Sequence, residues 1–209
     1  GSREAVIGTN PIAFAVPRAG QPPLVLDMAT AVVARGRIVE MAKRHEPIPA
    51  GWALDADGNS TTDAAAAERG VVLPVGGAKG SGLAVMVELL CSVLSGATLG
   101  PRIPNLYKDY ERPQDIGHLF VVVDPQRIGR DDVALQAQVL AGLLKSSVPA
   151  AGVAEVLMPG EPEARLQAQR AEAGVQLPDN VVRELQDWAQ RLGVPALVEA
   201  AVRMQDTAA

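Results

Sequence analysis

The sequence predicts an α+β fold, and three observations carry the prediction. Short apolar runs bounded by prolines open the chain, as strands do. Apolar residues at helical spacing follow, and helix dominates from Glu161 onward. The regular β-α-β alternation of a doubly wound sheet is missing. With 209 residues, the chain suits one or two domains and can bury about 70% of its unfolded surface.

Taken in order, Pro11–Val16 and Pro23–Leu26 read as two buried strands, the second running into Asp27. Residues 29–44 read as a helix with Ile38, Met41 and Ala42 on one side, weakened at Gly36. Residues 46–76 are irregular. Within them, DADGNSTTD resembles a calcium loop, but Ser60 stands where that loop needs Gly and Ala66 where it needs Glu, so calcium is rejected. Thr61 or Thr62 is expected to open a short helix through the alanine run. The glycine-rich GGAKGSG at 76–82 leads into Leu83–Leu94, apolar nearly all round and expected to be a buried helix. A long proline-bearing loop spans 97–117. His118–Val123 reads as a strand, Asp131–Lys145 as an amphipathic helix and Ala154–Met158 as a strand. The tail from Glu161 is helical, with breaks near Gly174 and Gly193.

Composition excludes several classes. The chain is 48% hydrophobic and 21% charged, which is globular rather than disordered. Nineteen basic against 24 acidic residues, net −5, argue against a nucleic-acid partner. No apolar stretch reaches membrane-spanning length, so no membrane partner is expected. The single Cys91 rules out an intrachain disulfide framework and a cysteine-based zinc site. With only His45 and His118 beside it, no metal site is expected. No signal peptide opens the chain, which points to the cytoplasm. The chain begins Gly1-Ser2 without an initiator Met, as at a cloning scar or inside a longer protein.

Candidate chemistry gathers at a few places. Gly76, Gly77, Gly80 and Gly82 around Lys79, just ahead of a helix, suit a phosphate: small residues let a ligand approach, and the helix start offers N–H groups and a positive dipole end. The spacing is neither a Walker loop nor a dinucleotide GxGxxG. A tight glycine turn with Lys79 in solvent explains the same residues. Asp27-Met28-Ala29-Thr30 follows a strand end, where ligands often bind, yet Asp27 or Thr30 would serve equally as a helix cap. Met158–Glu163 reads as a turn and an acidic helix start. Arg102, Tyr107, Tyr110 and Arg112 offer groups for a carboxylate, though solvated loop residues account for them as well. No Ser-His-Asp set is visible.

In order along the chain stand Gly8-Thr9-Asn10-Pro11, Asp27-Met28-Ala29-Thr30, Ile48-Pro49-Ala50-Gly51-Trp52-Ala53-Leu54-Asp55, Thr61-Thr62-Asp63, Gly76-Gly77-Ala78-Lys79-Gly80 and Pro159-Gly160-Glu161-Pro162-Glu163. This ordered set resembles the type-2 malate/L-lactate dehydrogenase family of NAD(P)-dependent oxidoreductases, and the resemblance covers almost the whole chain. It implies a non-Rossmann fold, with a mostly antiparallel mixed sheet flanked by helices. The implied divisions are a cofactor-binding sheet domain at 1–160 and a helical segment at 161–209, the latter part of a helical domain completed by an N-terminal region absent from this sequence. It also implies a homodimer.

By the same resemblance, the cofactor contacts are Thr9, Asp27, Met28, Ala29, Arg35, Gly36, Lys79, Gly160, Glu161 and Pro162, for NAD or NADP. The family's proton-transferring histidine and a substrate-binding arginine belong to the absent region, so no residue here is assigned as acid–base. His45 stands where the family usually has glycine. Arg37 stands where imine reductases of the family carry an acidic residue, which leans the expectation towards a 2-hydroxy/2-keto acid. The expected function is hydride transfer between nicotinamide and such an acid, with this chain as the cofactor-binding portion. The alternative is a non-catalytic cofactor-binding or dimerisation module. A phosphate-binding transferase would use the glycine loop and leave the other motifs without a role.

Overall fold

A computed structural model describes residues 1–105 and 109–194 of the chain. It divides into two compact units, Gly1–Leu144 and Lys145–Ala209. Within the first unit, strands β1 (Ile12–Arg18) and β2 (Gln21–Met28) form an antiparallel hairpin closed at Gly20, whose φ is +66°. Its register pairs Ala13 with Asp27 and Ile12 with Met28, and slips between Val16 and Arg18. The irregularity falls at Pro17, which has no N–H for the ladder. A second, three-stranded antiparallel sheet has the order β4-β3-β5, from Ala53–Leu54 (β3), Ser60–Thr61 (β4) and Val71–Val72 (β5). Every ladder among the described residues is antiparallel, so the fold is α+β as the sequence predicts.

Helix α2 (Ala64–Arg69) packs on the small sheet, and helix α1 (Arg35–Lys43) packs against α2. Ile38, Ile48, Ala53, Ala64 and Ala67 are buried together there, with Val33, Met41, Ala42, Trp52 and Val72 around them. The Arg37 guanidinium lies 5.6 Å from the centre of the Trp52 ring and covers it. The Asp55–Asn59 segment is a turn: Asp55 Oδ1 accepts hydrogen bonds from the amides of Asp57 and Asn59. Those amides, Asn59's first, hold the Asp55 carboxyl below its ordinary value.

Several expected elements are altered by their neighbours. The helix expected over 29–44 starts only at Arg35. Residues before it stay irregular because they bond sideways: Thr30 N–H to the Thr9 carbonyl, Val32 N–H to the Leu73 carbonyl, and Ala31 in a bridge with Pro74. Gly36 therefore sits in the first turn and interrupts nothing. The short helix after the turn is capped by Asp63, not by a threonine; Asp63 accepts from Ala65 N–H, and Thr61 Oγ1 accepts from Asp63 N–H. His45, just past the end of α1, adopts the left-handed conformation with φ +55°.

Helix α3 (Ala78–Glu88) begins ahead of the expected Leu83 and widens into a π-helical turn at Leu89–Val93. It is not buried: Met86 is 54% and Leu94 70% exposed. The β1–β2 hairpin is likewise open, with Phe14 65% exposed. A two-stranded sheet has no layer to cover both of its faces. His118–Val123 is not a strand; Val122 is 95% exposed, and no described residue forms a ladder with it. A strand requires a hydrogen-bonded neighbour, and apolar β-branched sequence alone does not supply one. Helix α4 spans Val133–Lys145, close to its expected bounds.

In the second unit, Ala154–Met158 forms no strand either. Helices α5 (Glu161–Ala173) and α6 (Asp179–Leu192) end at Gly174 and Gly193, the two breaks the sequence indicates. Tyr107 and the chain beyond residue 194 lie outside the described residues. No helix of the described residues is long and apolar enough to cross a membrane.

Candidate functional site

In the first unit, motifs far apart in sequence meet around Thr30. β2 ends at Met28, and two residues on the chain bends at Thr30, which is buried. The Thr30 amide and hydroxyl both donate to the Thr9 carbonyl, each at 2.9 Å. Its own carbonyl accepts from Val75 N–H at 2.9 Å. One residue thus ties the Gly8–Pro11 segment to the strand end and to the glycine-rich turn. Thr30 is not a helix cap; Ala34 holds that place, without a side-chain bond.

The glycine turn has a specific geometry. Gly76 and Gly77 have φ of +62° and +63°, a region closed to most side chains. Gly77 caps α3 without a side-chain hydrogen bond, so no side chain occupies the helix start. Gly80 meets a different need. A Cβ there would overlap the Val75 carbonyl, lying 2.8 Å from its carbon and nearer still to its oxygen. The first turn of α3 therefore rests directly on the 75–76 backbone. By contrast, a Cβ at Gly76, Gly77 or Gly82 meets nothing within 4 Å, so the turn opens onto free space.

Lys79 is exposed in the first turn of α3 and has no ion pair among the described residues. Thr9 and Asp27 are exposed, and Met28 and Ala29 half-buried. Backbone donors, a positive helix end, a mobile cation and room above glycines form a donor set for an anionic diphosphate. The residues present therefore fit a dinucleotide. Arg35 is differently employed: its guanidinium donates to the Gly70 carbonyl at 3.4 Å and to the Glu68 carbonyl, binding α1 to the end of α2. Gly36 beside it has open space at its Cβ position.

Gly160, Glu161 and Pro162 belong to the second unit. Gly160 caps α5 with φ +84°, and Glu161 and Glu163 lie in its acidic first turn, as the sequence indicates. Glu161 also reaches back to accept from Met158 N–H at 3.0 Å. Its carboxylate pairs with Lys145 at 2.7 Å and Arg165 at 2.5 Å, and Glu155 joins the same two cations. Arg165 bonding holds the Glu155 carboxyl at about 2. Lys145 bonding, with the Met158 amide, holds that of Glu161 at about 2.

In the long loop, Arg112 is engaged by Asp109, with Nε 2.8 Å from Oδ2. His118 is in ring contact with Phe120, centroids 6.2 Å apart. Two residues went unremarked in the sequence: Asn10, whose side-chain amide donates into α3, and Glu88, which receives it. Asn10 lies inside a recognisable motif, and that was the available signal. Glu88 is an unremarkable helical glutamate whose partners are remote in sequence.

The family model of malate/L-lactate dehydrogenase matches residues 1–186. The chain belongs to that family. Its relatives include the (2R)-3-sulfolactate dehydrogenase (NADP(+)) of Chromohalobacter salexigens, 39% identical over 189 residues, which are 90% of this chain and 54% of that protein. The Delta(1)-pyrroline-2-carboxylate/Delta(1)-piperideine-2-carboxylate reductase of Pseudomonas aeruginosa is 39% identical over 188 residues, 88% of this chain and 54% of that protein. Among solved structures, the sulfolactate dehydrogenase from Methanocaldococcus jannaschii superposes with a TM-score of 0.80 at 36% identity, covering 92% of this chain and 55% of its own. Relatives in the family are NADP(+)- or NAD(+)-dependent dehydrogenases. The chain spans about half the length of the curated relatives it matches.

Proposed function

We propose that this chain carries the cofactor-binding part of an NAD(P)-dependent oxidoreductase acting on a 2-hydroxy/2-keto acid. The observation that carries the reading is the meeting of the Thr9, Asp27–Thr30 and Gly76–Gly80 segments around buried Thr30, with Lys79 free of ion pairs among the described residues. When bound, the nicotinamide supplies or accepts a hydride at its C4. Lys79 and the first-turn amides of α3 hold the diphosphate. Asp27, exposed at the strand end, accepts hydrogen bonds from ribose or nicotinamide groups, and Met28 and Ala29 form the wall beside it. Thr9 offers a hydroxyl. Arg35, Gly36 and the Gly160–Pro162 turn are proposed contacts on the family resemblance.

The alcohol proton must leave or arrive as the hydride moves, and no residue of this chain is assigned that step. Arg37 favours a hydroxy or keto acid over a cyclic imine, because a cation stacked on Trp52 replaces the acidic residue of imine reductases. The proposed setting is a cytoplasmic homodimer.

Fluorescence titration of the chain with NADH and NADPH tests the proposal. Saturable binding is expected, with Lys79→Ala weakening it about tenfold, the size of one charge-assisted contact to phosphate. Absence of binding by a folded chain, or a Lys79→Ala titration identical to wild type, refutes it. The preferred dinucleotide emerges from the same curves.

A further inference from the structure

We propose that Asn10 and Glu88 form a latch that holds Thr9 in the pose from which it meets the dinucleotide. Glu88 is then a positioning residue, acting through Asn10 without touching ligand. The inference rests on the reading of this site as a dinucleotide site.

Thr9 is fixed from both sides. Its carbonyl takes both hydrogen bonds of Thr30. The next residue, Asn10, has φ +36°, in the left-handed region that asparagine enters more readily than most other non-glycine residues, and its side chain is constrained as well. The constraint is visible: Asn10 Nδ2 donates to the Ala84 carbonyl at 2.8 Å and to Glu88 Oε2 at 2.9 Å. Glu88 Oε1 meanwhile accepts from Gly100 N–H at 3.0 Å. Both amide hydrogens of Asn10 and both oxygens of Glu88 are therefore used.

The Thr9 side chain, in contrast, is exposed and has no partner among the described residues. A backbone pinned on both sides of a free hydroxyl is the arrangement of a preorganised contact. Helix α3 gives the latch its reference. Lys79 stands in its first turn and Glu88 at its last residue, just before the wide Leu89–Val93 turn. A rigid helix thereby fixes the Gly8–Pro11 segment relative to the phosphate donors. Asparagine is required for its two N–H donors; aspartate at position 10 would set a carboxylate against Glu88.

The test titrates NADH and NADPH against wild type, Asn10→Ala, Glu88→Ala, the double alanine variant, Asn10→Asp, and Asn10→Asp combined with Glu88→Gln. Thermal melting confirms that each is folded. Each alanine variant is expected to raise Kd about tenfold, which is ~1.4 kcal/mol. The double variant should be no worse than either single one, since the residues act as one unit. Asn10→Asp should bind more weakly than Asn10→Ala. The exchanged pair, with a glutamine N–H now facing a carboxylate, should recover part of the loss. Unchanged Kd with lowered melting temperatures would make the latch a stability feature and overturn the proposal, as would additive losses. If wild type binds neither dinucleotide, the reading of the site falls and the latch with it. If wild type binds and the variants bind equally, only the latch falls.

Discussion

Gly80 and Gly82 stand two positions apart in α3, and the structure assigns them opposite responses to the same substitution. Alanine raises helix propensity at either site by up to about 1 kcal/mol. At Gly82 nothing lies within 4 Å of the new methyl, so Gly82→Ala should stabilise by about 0.5–1 kcal/mol. At Gly80 the methyl would lie 2.8 Å from the Val75 carbonyl carbon and still closer to the oxygen, whereas ordinary contact begins near 3.4 Å. Both opposing atoms are backbone, and Val75 is itself tied to Thr30, so little can yield. Overpacking of this kind costs about 1–3 kcal/mol, which outweighs the propensity gain. At roughly 2–4 °C per kcal/mol for a chain of this size, Gly82→Ala should raise the melting temperature by about 1–4 °C and Gly80→Ala lower it by several degrees. Calorimetry or circular dichroism melts measure both. Shifts of the same sign would refute the argument that close approach to the Val75 carbonyl dictates glycine at position 80.

Two other outcomes follow from local chemistry. His45→Gly should stabilise by about 1 kcal/mol, because φ +55° at the helix end suits glycine, and denaturant unfolding reads this directly. The Lys145–Glu155–Glu161–Arg165 cluster should make stability pH-dependent. Both carboxyls lie at about 2, below the ordinary 4.5, so the cluster's contribution is complete above about 4.5 and is lost as pH falls towards 2. Melts of wild type and Arg165→Met should therefore converge between those values, and a gap that stays constant down to pH 2 would contradict it.

Much of the candidate site was legible because its signals are local. Glycines before a helix, a lysine among them and an acidic residue closing an apolar run each carry chemistry that a few consecutive residues reveal. The β1–β2 hairpin, α4 and the glycine stops after α5 and α6 follow from turn chemistry and periodicity in the same way. The helix start at Arg35 was not legible, because residues 29–34 are held out of the helix by bonds to Thr9, Leu73 and Pro74. His118–Val123 has a strand's composition and no ladder among the described residues.

By itself, then, the sequence determined the α+β class, the family and the motif residues, since these depend on side-chain type and short-range order. Only the tertiary structure decided that Thr30 joins three motifs rather than capping a helix, that Arg35 binds the end of α2, and that Asn10 and Glu88 meet across 78 positions of sequence. Hydrogen bonds between remote segments depend on where the folded backbone places donor and acceptor, and no local pattern encodes that distance.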